Sequence, residues 1–298
     1  MSYPDIDIKK NYKIERMLNN LAKPKIKLLY NMWDHSIMFG NHFIPVRIFL
    51  PKKRTRREIF IFFHGGGWVS GNIETYTKPC VNLANNTGCC VISVDYRLAP
   101  EFPYPNALLD CYFAVKEIYN NFKMFDTEKK DFILIGDSAG GNLTAAVSIM
   151  ARDRGEFNIS KQILIYPATF NNHTETSPFE SVRANGYDYL LTAKKICDYM
   201  DLYIQDEKYR NDVYFAPLLS ENLRDQPKTL VVTAEYDPLR DEGEAYGKKL
   251  AEFGNDAEIY RMKDALHGFF TLPARFVHVK QLYTVINTFL ERTASIEH

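Results

Sequence analysis

The sequence has no excess of one charge and no long apolar run. Lys plus Arg and Asp plus Glu each number 37 among 298 residues, so the formal net charge is zero. A chain without a basic excess is not expected to bind nucleic acid or an anionic membrane surface. No apolar stretch approaches the roughly 20 residues that a membrane-spanning helix needs. We therefore expect no nucleic-acid partner and no stable membrane association.

Cysteine is scarce and its spacing is irregular. The five cysteines are an odd number, and no pair shows a metal-ligand spacing such as C-x-x-C. Reduced, mostly buried thiols without a metal site are the simplest interpretation. The first residues also lack the basic segment followed by an apolar segment that marks a signal peptide. These features predict a cytoplasmic protein.

What the sequence does contain is a series of apolar strands that alternate with helices. Hydrophobic residues make up 46% of the chain, enough for a large core. Strands are predicted at 46–50, 58–64, 90–95, 132–136, 162–166, 229–234 and 257–262. Helical periodicity marks 107–119, 138–151 and 279–290. The alternation predicts an α/β fold with a mostly parallel central sheet flanked by helices, in a single domain over residues 1–298.

Two segments break this alternation. Residues 1–40 have apolar side chains at helical spacing and are predicted to be helical and amphipathic. Residues 168–227 are rich in Asn, Tyr and Asp, and a helix is expected there from an N-cap at Thr192 through Ile204. The second segment therefore has the character of an insertion above the sheet.

The turn after the strand at 132–136 has the sequence of a nucleophile elbow. It places Ser138 in a G-x-S-x-G motif between a strand and a helix. Such a turn is sharp, so the positions beside the serine must be small, and the helix that follows directs its N–H groups at a bound substrate. Ser138 is the candidate nucleophile; the alternative is a serine that caps a helix in an ordinary glycine-rich turn.

A second glycine-rich turn, His64-Gly65-Gly66-Gly67, follows the strand at 58–64. Glycines leave backbone N–H groups unshielded, so a carbonyl oxygen can approach them closely. This pattern predicts an oxyanion hole whose donors are the N–H groups of Gly66, Gly67 and Ala139. His64 precedes the serine in the chain, and we expect it to hold the glycine turn rather than to act as a base.

Candidates for the acid and the base lie beyond the last two strands. Asp237 follows the strand at 229–234, at the edge where α/β proteins collect their active groups. His267 stands before Gly268 in the loop after the strand at 257–262. The chain order Ser138, Asp237, His267 is that of the α/β-hydrolase triad. A helix cap is the alternative role for Asp237, and Asp241 and Glu242 are expected only to favour the start of the next helix.

Taken together, these motifs resemble the hormone-sensitive-lipase-like carboxylesterases. The resemblance covers roughly residues 60–270 and rests on His64-Gly65-Gly66-Gly67-Trp68, Tyr96-Arg97-Leu98-Ala99-Pro100-Glu101, Gly136-Asp137-Ser138-Ala139-Gly140-Gly141, Asp237-Pro238-Leu239-Arg240-Asp241-Glu242-Gly243 and His267-Gly268-Phe269. It implies an eight-stranded α/β-hydrolase core with a helical cap formed from about 1–40 and 168–227. It also implies hydrolysis of small-molecule esters with short to medium acyl chains and no cofactor. In this setting Arg97 is expected to pair with an acid below the site.

The substrate pocket and the assembly state are less well determined by the sequence. Trp68, Phe39, Tyr187 and Phe215 are candidates to line an acyl pocket, although core packing would explain each of them. An amidase or deacetylase would use the same triad, and a small-molecule receptor of the same fold would have lost a member of it. His267 is present, which favours an enzyme. Both a monomer and a homodimer are compatible with the sequence.

Overall fold

The computed structural model describes residues 7–21 and 31–292 and contains one eight-stranded sheet. The strands are β1 Met32–Phe39, β2 His42–Phe49, β3 Ile59–Phe63, β4 Cys90–Val94, β5 Phe132–Asp137, β6 Lys161–Ile165, β7 Lys228–Tyr236 and β8 Ala257–Leu266. Their order across the sheet is β1-β2-β4-β3-β5-β6-β7-β8. The pairs β1/β2 and β2/β4 are antiparallel, and every other pair is parallel. The predicted mostly parallel sheet is confirmed.

Helices cover both faces of the sheet. They are α1 Ile8–Leu21, α2 Thr77–Thr87, α3 Asn106–Asn120, α4 Ala139–Arg154, α5 Glu180–Asn185, α6 Ala193–Tyr203, α7 Arg240–Glu252 and α8 Val277–Glu291. Within β3, Phe60 and Phe62 pack with side chains of α2 and α8, whereas Ile61 and Phe63 pack with those of α3 and α4. A strand covered on both faces must be apolar at every position, which explains the continuous apolar runs in the sequence.

The predicted N-cap of α6 and the predicted acid partner of Arg97 are confirmed. The Thr192 side chain caps α6 by accepting a hydrogen bond from the Lys195 N–H at 3.2 Å. The Arg97 guanidinium binds both carboxylate oxygens of the buried Asp110, at 2.9 and 2.8 Å. All five cysteines are free thiols, and all except Cys197 are buried. Among the residues that the structure describes, no helix has both the length and the apolar character to cross a membrane.

The helical prediction for residues 1–40 is wrong in its second half. A helix is present at α1, but Met32–Phe39 is the edge strand β1, paired with β2 along its whole length. The rest of that prediction, at 1–6 and 22–30, lies outside the described residues. A two-residue turn joins the strands, with Gly40 at φ +58° followed by Asn41. Gly-Asn between apolar runs is a hairpin signal, so the sequence did carry the information.

The segment between β6 and β7 contains α5 and α6, and α6 packs against α1 from the other end of the chain. The Ile8 N–H donates to Asp198 Oδ2 at 3.3 Å, and Lys9 Nζ binds Asp201 Oδ2 at 2.6 Å. The two segments expected to form a cap therefore contact each other, although they are far apart in sequence.

Removing volume from the central strand β5 should destabilise the fold strongly. Leu134 is fully buried, so Leu134→Ala should lower the free energy of unfolding by about 2–5 kcal/mol. Met124→Ala is the control, because Met124 is 76% exposed and its loss should change stability by less than about 0.5 kcal/mol. The midpoint of urea unfolding measures both changes. Equal midpoints for the two variants would contradict the placement of Leu134.

Candidate active site

Ser138 occupies a strained turn between β5 and α4. Its backbone has φ 55° and ψ −120°, in a region that residues with a side chain rarely adopt. The turn is crowded: a Cβ added to Gly140 would lie 2.0 Å from the Phe63 carbonyl oxygen, and one added to Gly136 would lie 2.2 Å from the Gly140 oxygen. Both glycines are therefore required by close backbone approach. The serine hydroxyl is presented beyond the carboxyl end of β5.

Ser138, His267 and Asp237 form a continuous hydrogen-bonded chain. His267 Nε2 lies 2.9 Å from Ser138 Oγ, and His267 Nδ1 lies 2.7 Å from Asp237 Oδ2. Asp237 is fully buried directly after β7, and its other oxygen accepts the Leu239 N–H at 2.9 Å. Gly268, at φ +84°, turns the chain just after the histidine. The three residues that the sequence singled out as a triad are brought together.

The glycine turn lies beside Ser138. Gly66 and Gly67 have φ +117° and +62°, and together with Ala139 they line the cavity at Ser138. In the described part of the chain, the N–H groups of Gly66 and Gly67 make no backbone hydrogen bond. The Gly65 N–H, by contrast, donates to Asp137 Oδ1 at 2.8 Å. The arrangement leaves the amides of Gly66 and Gly67 available to a ligand, whereas Gly65 shapes the turn.

His64 is buried beneath this turn and not beside the serine. Its Nδ1 lies 2.8 Å from the Gly65 carbonyl oxygen, its own carbonyl accepts the Tyr96 hydroxyl at 2.6 Å, and its ring stacks on that of Tyr96. Burial lowers the pKa of His64 to about 4. A neutral, enclosed imidazole agrees with the role expected from the sequence, which is to hold the glycine turn.

Asp137 is a site residue that the sequence reasoning missed. It is buried next to Ser138 and accepts hydrogen bonds from the Gly65 N–H at 2.8 Å, the Tyr76 hydroxyl at 3.0 Å and the Tyr166 hydroxyl at 3.2 Å. Burial raises its pKa to about 6. The available signal was an acidic side chain at the end of an otherwise apolar strand. Its carboxylate links the elbow to the glycine turn.

Glu242 has more contacts than its place at the start of α7 suggested. Its fully buried carboxylate accepts the N–H groups of Thr169 and Phe170, at 2.7 and 3.1 Å, and lies 2.5 Å from His173 Nε2. It therefore fixes the loop after β6, which contributes Ala168 to the cavity.

The cavity above Ser138 has a volume of about 230 Å³. Apart from the residues already described, its apolar walls include Trp68, Ala168, Leu191, Ile196, Tyr199 and Leu239. Trp68 was expected to line it and does. The other wall residues were not predicted. Four of them come from the segment between β6 and β7 and one, Leu239, follows β7, so their positions depend on how these segments fold over the sheet.

The other three pocket candidates lie elsewhere. Phe215 is buried behind Trp68, with ring centroids 5.7 Å apart, and belongs to the core. Phe39 stacks on Phe113 of α3 at 3.8 Å, at the end of the edge strand β1. Tyr187 is 64% exposed. None of the three lines the cavity at Ser138, so these expectations are corrected. Aromatic character alone did not distinguish a pocket wall from core or surface.

The described residues include no cluster of three or more His, Cys, Asp or Glu side chains suited to a metal ion. The acidic and imidazole groups at Ser138 are already engaged with one another. The arrangement offers a hydroxyl, a base in contact with it, and free amide donors.

A comparison with protein families gives a match over residues 60–271 to a family described as alpha/beta hydrolase fold. This range contains every motif on which the resemblance rested. The chain belongs to the hormone-sensitive-lipase-like family of α/β hydrolases.

Related proteins and structures carry the names of esterases. An arylesterase of Saccharolobus solfataricus is 38% identical over 241 residues, which are 80% of this chain and 77% of that protein. Esterase LipI of Mycobacterium tuberculosis is 34% identical over 230 residues, which are 76% of this chain and 71% of that protein. The structure of a hyperthermophilic esterase from Pyrobaculum calidifontis is similar with a TM-score of 0.82 and 34% identity, covering 96% of this chain and 91% of that one.

The raised pKa of Asp137 predicts a pH-dependent contribution to stability. An exposed Asp titrates near 3.9, and burial raises the pKa of Asp137 to about 6. Folding therefore favours its protonated form, so this contribution is present below about pH 4 and is lost as the pH rises through about 6. Asp137→Asn cannot titrate. From pH 4 to pH 7, wild type should lose on the order of 2 kcal/mol of unfolding free energy relative to this variant.

Urea unfolding of both proteins at the two pH values measures this difference. Titrating groups that do not interact with Asp137 contribute equally to both proteins and cancel. A difference in unfolding free energy that stays constant with pH would contradict the raised pKa of Asp137.

Proposed function

We propose that the protein is a serine carboxylesterase that hydrolyses small-molecule esters with short to medium acyl chains. The observation that carries the proposal is the contact of His267 Nε2 with Ser138 Oγ at 2.9 Å, in a histidine whose Nδ1 is bound to Asp237 at 2.7 Å. A base within hydrogen-bond reach of a hydroxyl, and itself oriented by a buried acid, is the arrangement that activates a serine. The esterase names of the related proteins support the same conclusion.

In the first half of the reaction, Ser138 Oγ attacks the ester carbonyl carbon while His267 takes the hydroxyl proton. The carbonyl oxygen becomes an oxyanion, which the N–H groups of Gly66, Gly67 and Ala139 bind. Asp237 holds the imidazole tautomer and stabilises the imidazolium. The intermediate then expels the alcohol, which leaves with the proton from His267, and the acyl group stays on Ser138.

In the second half, water replaces the alcohol. His267 takes a proton from the water as its oxygen attacks the acyl carbon, and the same donors bind the new oxyanion. Collapse of the second intermediate releases the carboxylic acid and returns the proton to Ser138. The cycle consumes only ester and water. The three triad side chains and the oxyanion donors are therefore sufficient for the reaction.

The size and lining of the cavity support a preference for small acyl groups. About 230 Å³ of largely apolar space adjoins Ser138, and Trp68, Ile196 and Leu239 form part of its walls. A long acyl chain would not fit within this volume and would have to extend out of the cavity. A cytoplasmic location stays a prediction, and the five free thiols are consistent with it.

A series of p-nitrophenyl esters of increasing acyl length tests the activity and the pocket together. We expect hydrolysis of the short esters and a decline with chain length. Ser138→Ala should lower kcat by roughly 10⁶-fold, as removal of the nucleophile does in subtilisin, with an unchanged midpoint of unfolding. Amides with the same acyl groups, measured in the same assay, test the amidase and deacetylase alternative.

Either of two results would overturn the proposal. Wild-type rates in a clean Ser138→Ala preparation would exclude Ser138 as the nucleophile. Folded wild-type protein that cleaves amides but no ester would instead favour the amidase alternative.

A further inference from the structure

The three glycines of the turn are not held in the same way. The Gly65 N–H is fixed by Asp137, and the Gly66 carbonyl accepts the N–H groups of Val69 and Ser70, at 3.1 and 2.9 Å. Gly67 makes no hydrogen bond within residues 7–21 and 31–292. A glycine at φ +62° without such a bond has wide conformational freedom. Gly67, which lines the cavity at Ser138, therefore needs another support.

That support is the ring of Tyr199, from α6. A Cβ added to Gly67 would lie 2.4 Å from Tyr199 Cγ and 2.7 Å from each Cδ atom, so the ring lies directly against the Gly67 backbone. The same ring lines the cavity at Ser138 and a second cavity of about 250 Å³ between α1 and α6. Any movement of this ring would change the space available to Gly67.

Tyr199 is in turn anchored by Glu15 of α1. Its hydroxyl donates to Glu15 Oε1 at 2.5 Å, and Ser70 Oγ approaches the same oxygen at 3.5 Å while contacting the Gly66 carbonyl at 3.2 Å. Burial raises the pKa of Glu15. Its second oxygen is buried without a partner in the described part of the chain. An incompletely satisfied buried carboxyl group is costly, which sets Glu15 apart from an ordinary surface acid.

Arg16, the next residue of α1, also binds the segment that follows the glycines. Arg16 Nε donates to the Val69 carbonyl at 2.6 Å, and its Nη2 donates to the Ala99 carbonyl at 2.6 Å. Glu15 and Arg16 thus join α1 to the segment that begins with the three glycines.

We propose that Tyr199, anchored by Glu15, is a positioning residue that holds the Gly67 amide in place to bind the oxyanion. This inference rests on the proposed esterase function. Because the amide interacts with negative charge that develops in the transition state, loss of the ring lowers kcat and leaves KM nearly unchanged. It also weakens binding of a ligand that carries an oxyanion at that position.

Two variants distinguish the contribution of the ring from that of its hydrogen bond to Glu15, with p-nitrophenyl acetate as the substrate. Tyr199→Ala removes the ring, whereas Tyr199→Phe removes only the hydroxyl. Removing one side-chain oxyanion donor costs about 10²–10³-fold in kcat in subtilisin, so a displaced amide should cost roughly 10- to 100-fold in Tyr199→Ala. Tyr199→Phe keeps the ring and should lose less than about tenfold. The inhibition constant of a trifluoromethyl ketone, which Ser138 converts to a hemiketal oxyanion, should rise in parallel with the loss of kcat. A role in stability alone would not move this constant.

A double-mutant cycle tests the anchor without depending on Tyr199→Ala. Glu15→Ala and Tyr199→Phe remove the same hydrogen bond, so the double variant should be no slower than either single one. Glu15→Gln keeps an acceptor oxygen and should restore most of the rate. The control is Tyr214→Phe, which removes another tyrosine–carboxylate bond, to Asp153 at 2.8 Å, and should have wild-type kcat.

The outcomes are distinct. Parallel changes in kcat and in the inhibition constant, absent from Tyr214→Phe, support the proposal. Active wild type together with folded Tyr199 and Glu15 variants that keep the wild-type kcat and inhibition constant would overturn it. If Tyr199→Ala does not fold, the double-mutant cycle decides. Losses of kcat that add in the double variant of Glu15→Ala and Tyr199→Phe would overturn the proposal. Wild type that hydrolyses no ester would overturn the proposed function and this inference with it.

Discussion

The close approach of α4 to the end of β3 is the constraint on which the site depends. The Gly140 Cα lies so near the Phe63 carbonyl that a Cβ would be 2.0 Å from that oxygen. The same contact joins the two turns of the site, because Ser138 precedes Gly140 by two residues and the glycine turn begins immediately after Phe63. This backbone contact therefore places the nucleophile elbow, with Ser138 at φ 55°, beside the glycine turn.

Buried carboxylates connect the loops at this edge of the sheet. Asp137 receives hydrogen bonds from the glycine turn and from two tyrosine hydroxyls, Asp237 binds His267 and the Leu239 N–H, and Glu242 binds the loop after β6. Each acid accepts donors from a segment other than its own. Leaving such a buried group unsatisfied costs about 1–3 kcal/mol or more, so each carboxylate enforces the relative placement of the segments that it joins.

The sequence predicted the sheet core and the Ser138, His267 and Asp237 constellation because both follow from local patterns. Continuous apolar runs mark strands covered on two faces, and the motif residues sit where those strands end. It did not predict the pocket walls: Phe39 and Phe215 are as apolar as Trp68, and only tertiary packing decides which of them reaches the cavity. Phe215 is instead buried in the core, and Phe39 is partly buried against Phe113. The edge strand β1 was missed because only Ile37 in it is buried, and its apolar positions also fit a helix.

The reacting groups and the walls of the cavity come from different parts of the fold. Ser138, Asp237 and His267 follow β5, β7 and β8, so the register of the sheet fixes their separation. Leu191, Ile196 and Tyr199 come from the segment between β6 and β7, whose packing on α1 does not alter that register. Substitutions at Leu191 or Ile196 therefore reshape the cavity while the chemistry stays in place. Tyr199 differs because its ring contacts Gly67, so there the shape of the cap and the rate of the reaction are coupled.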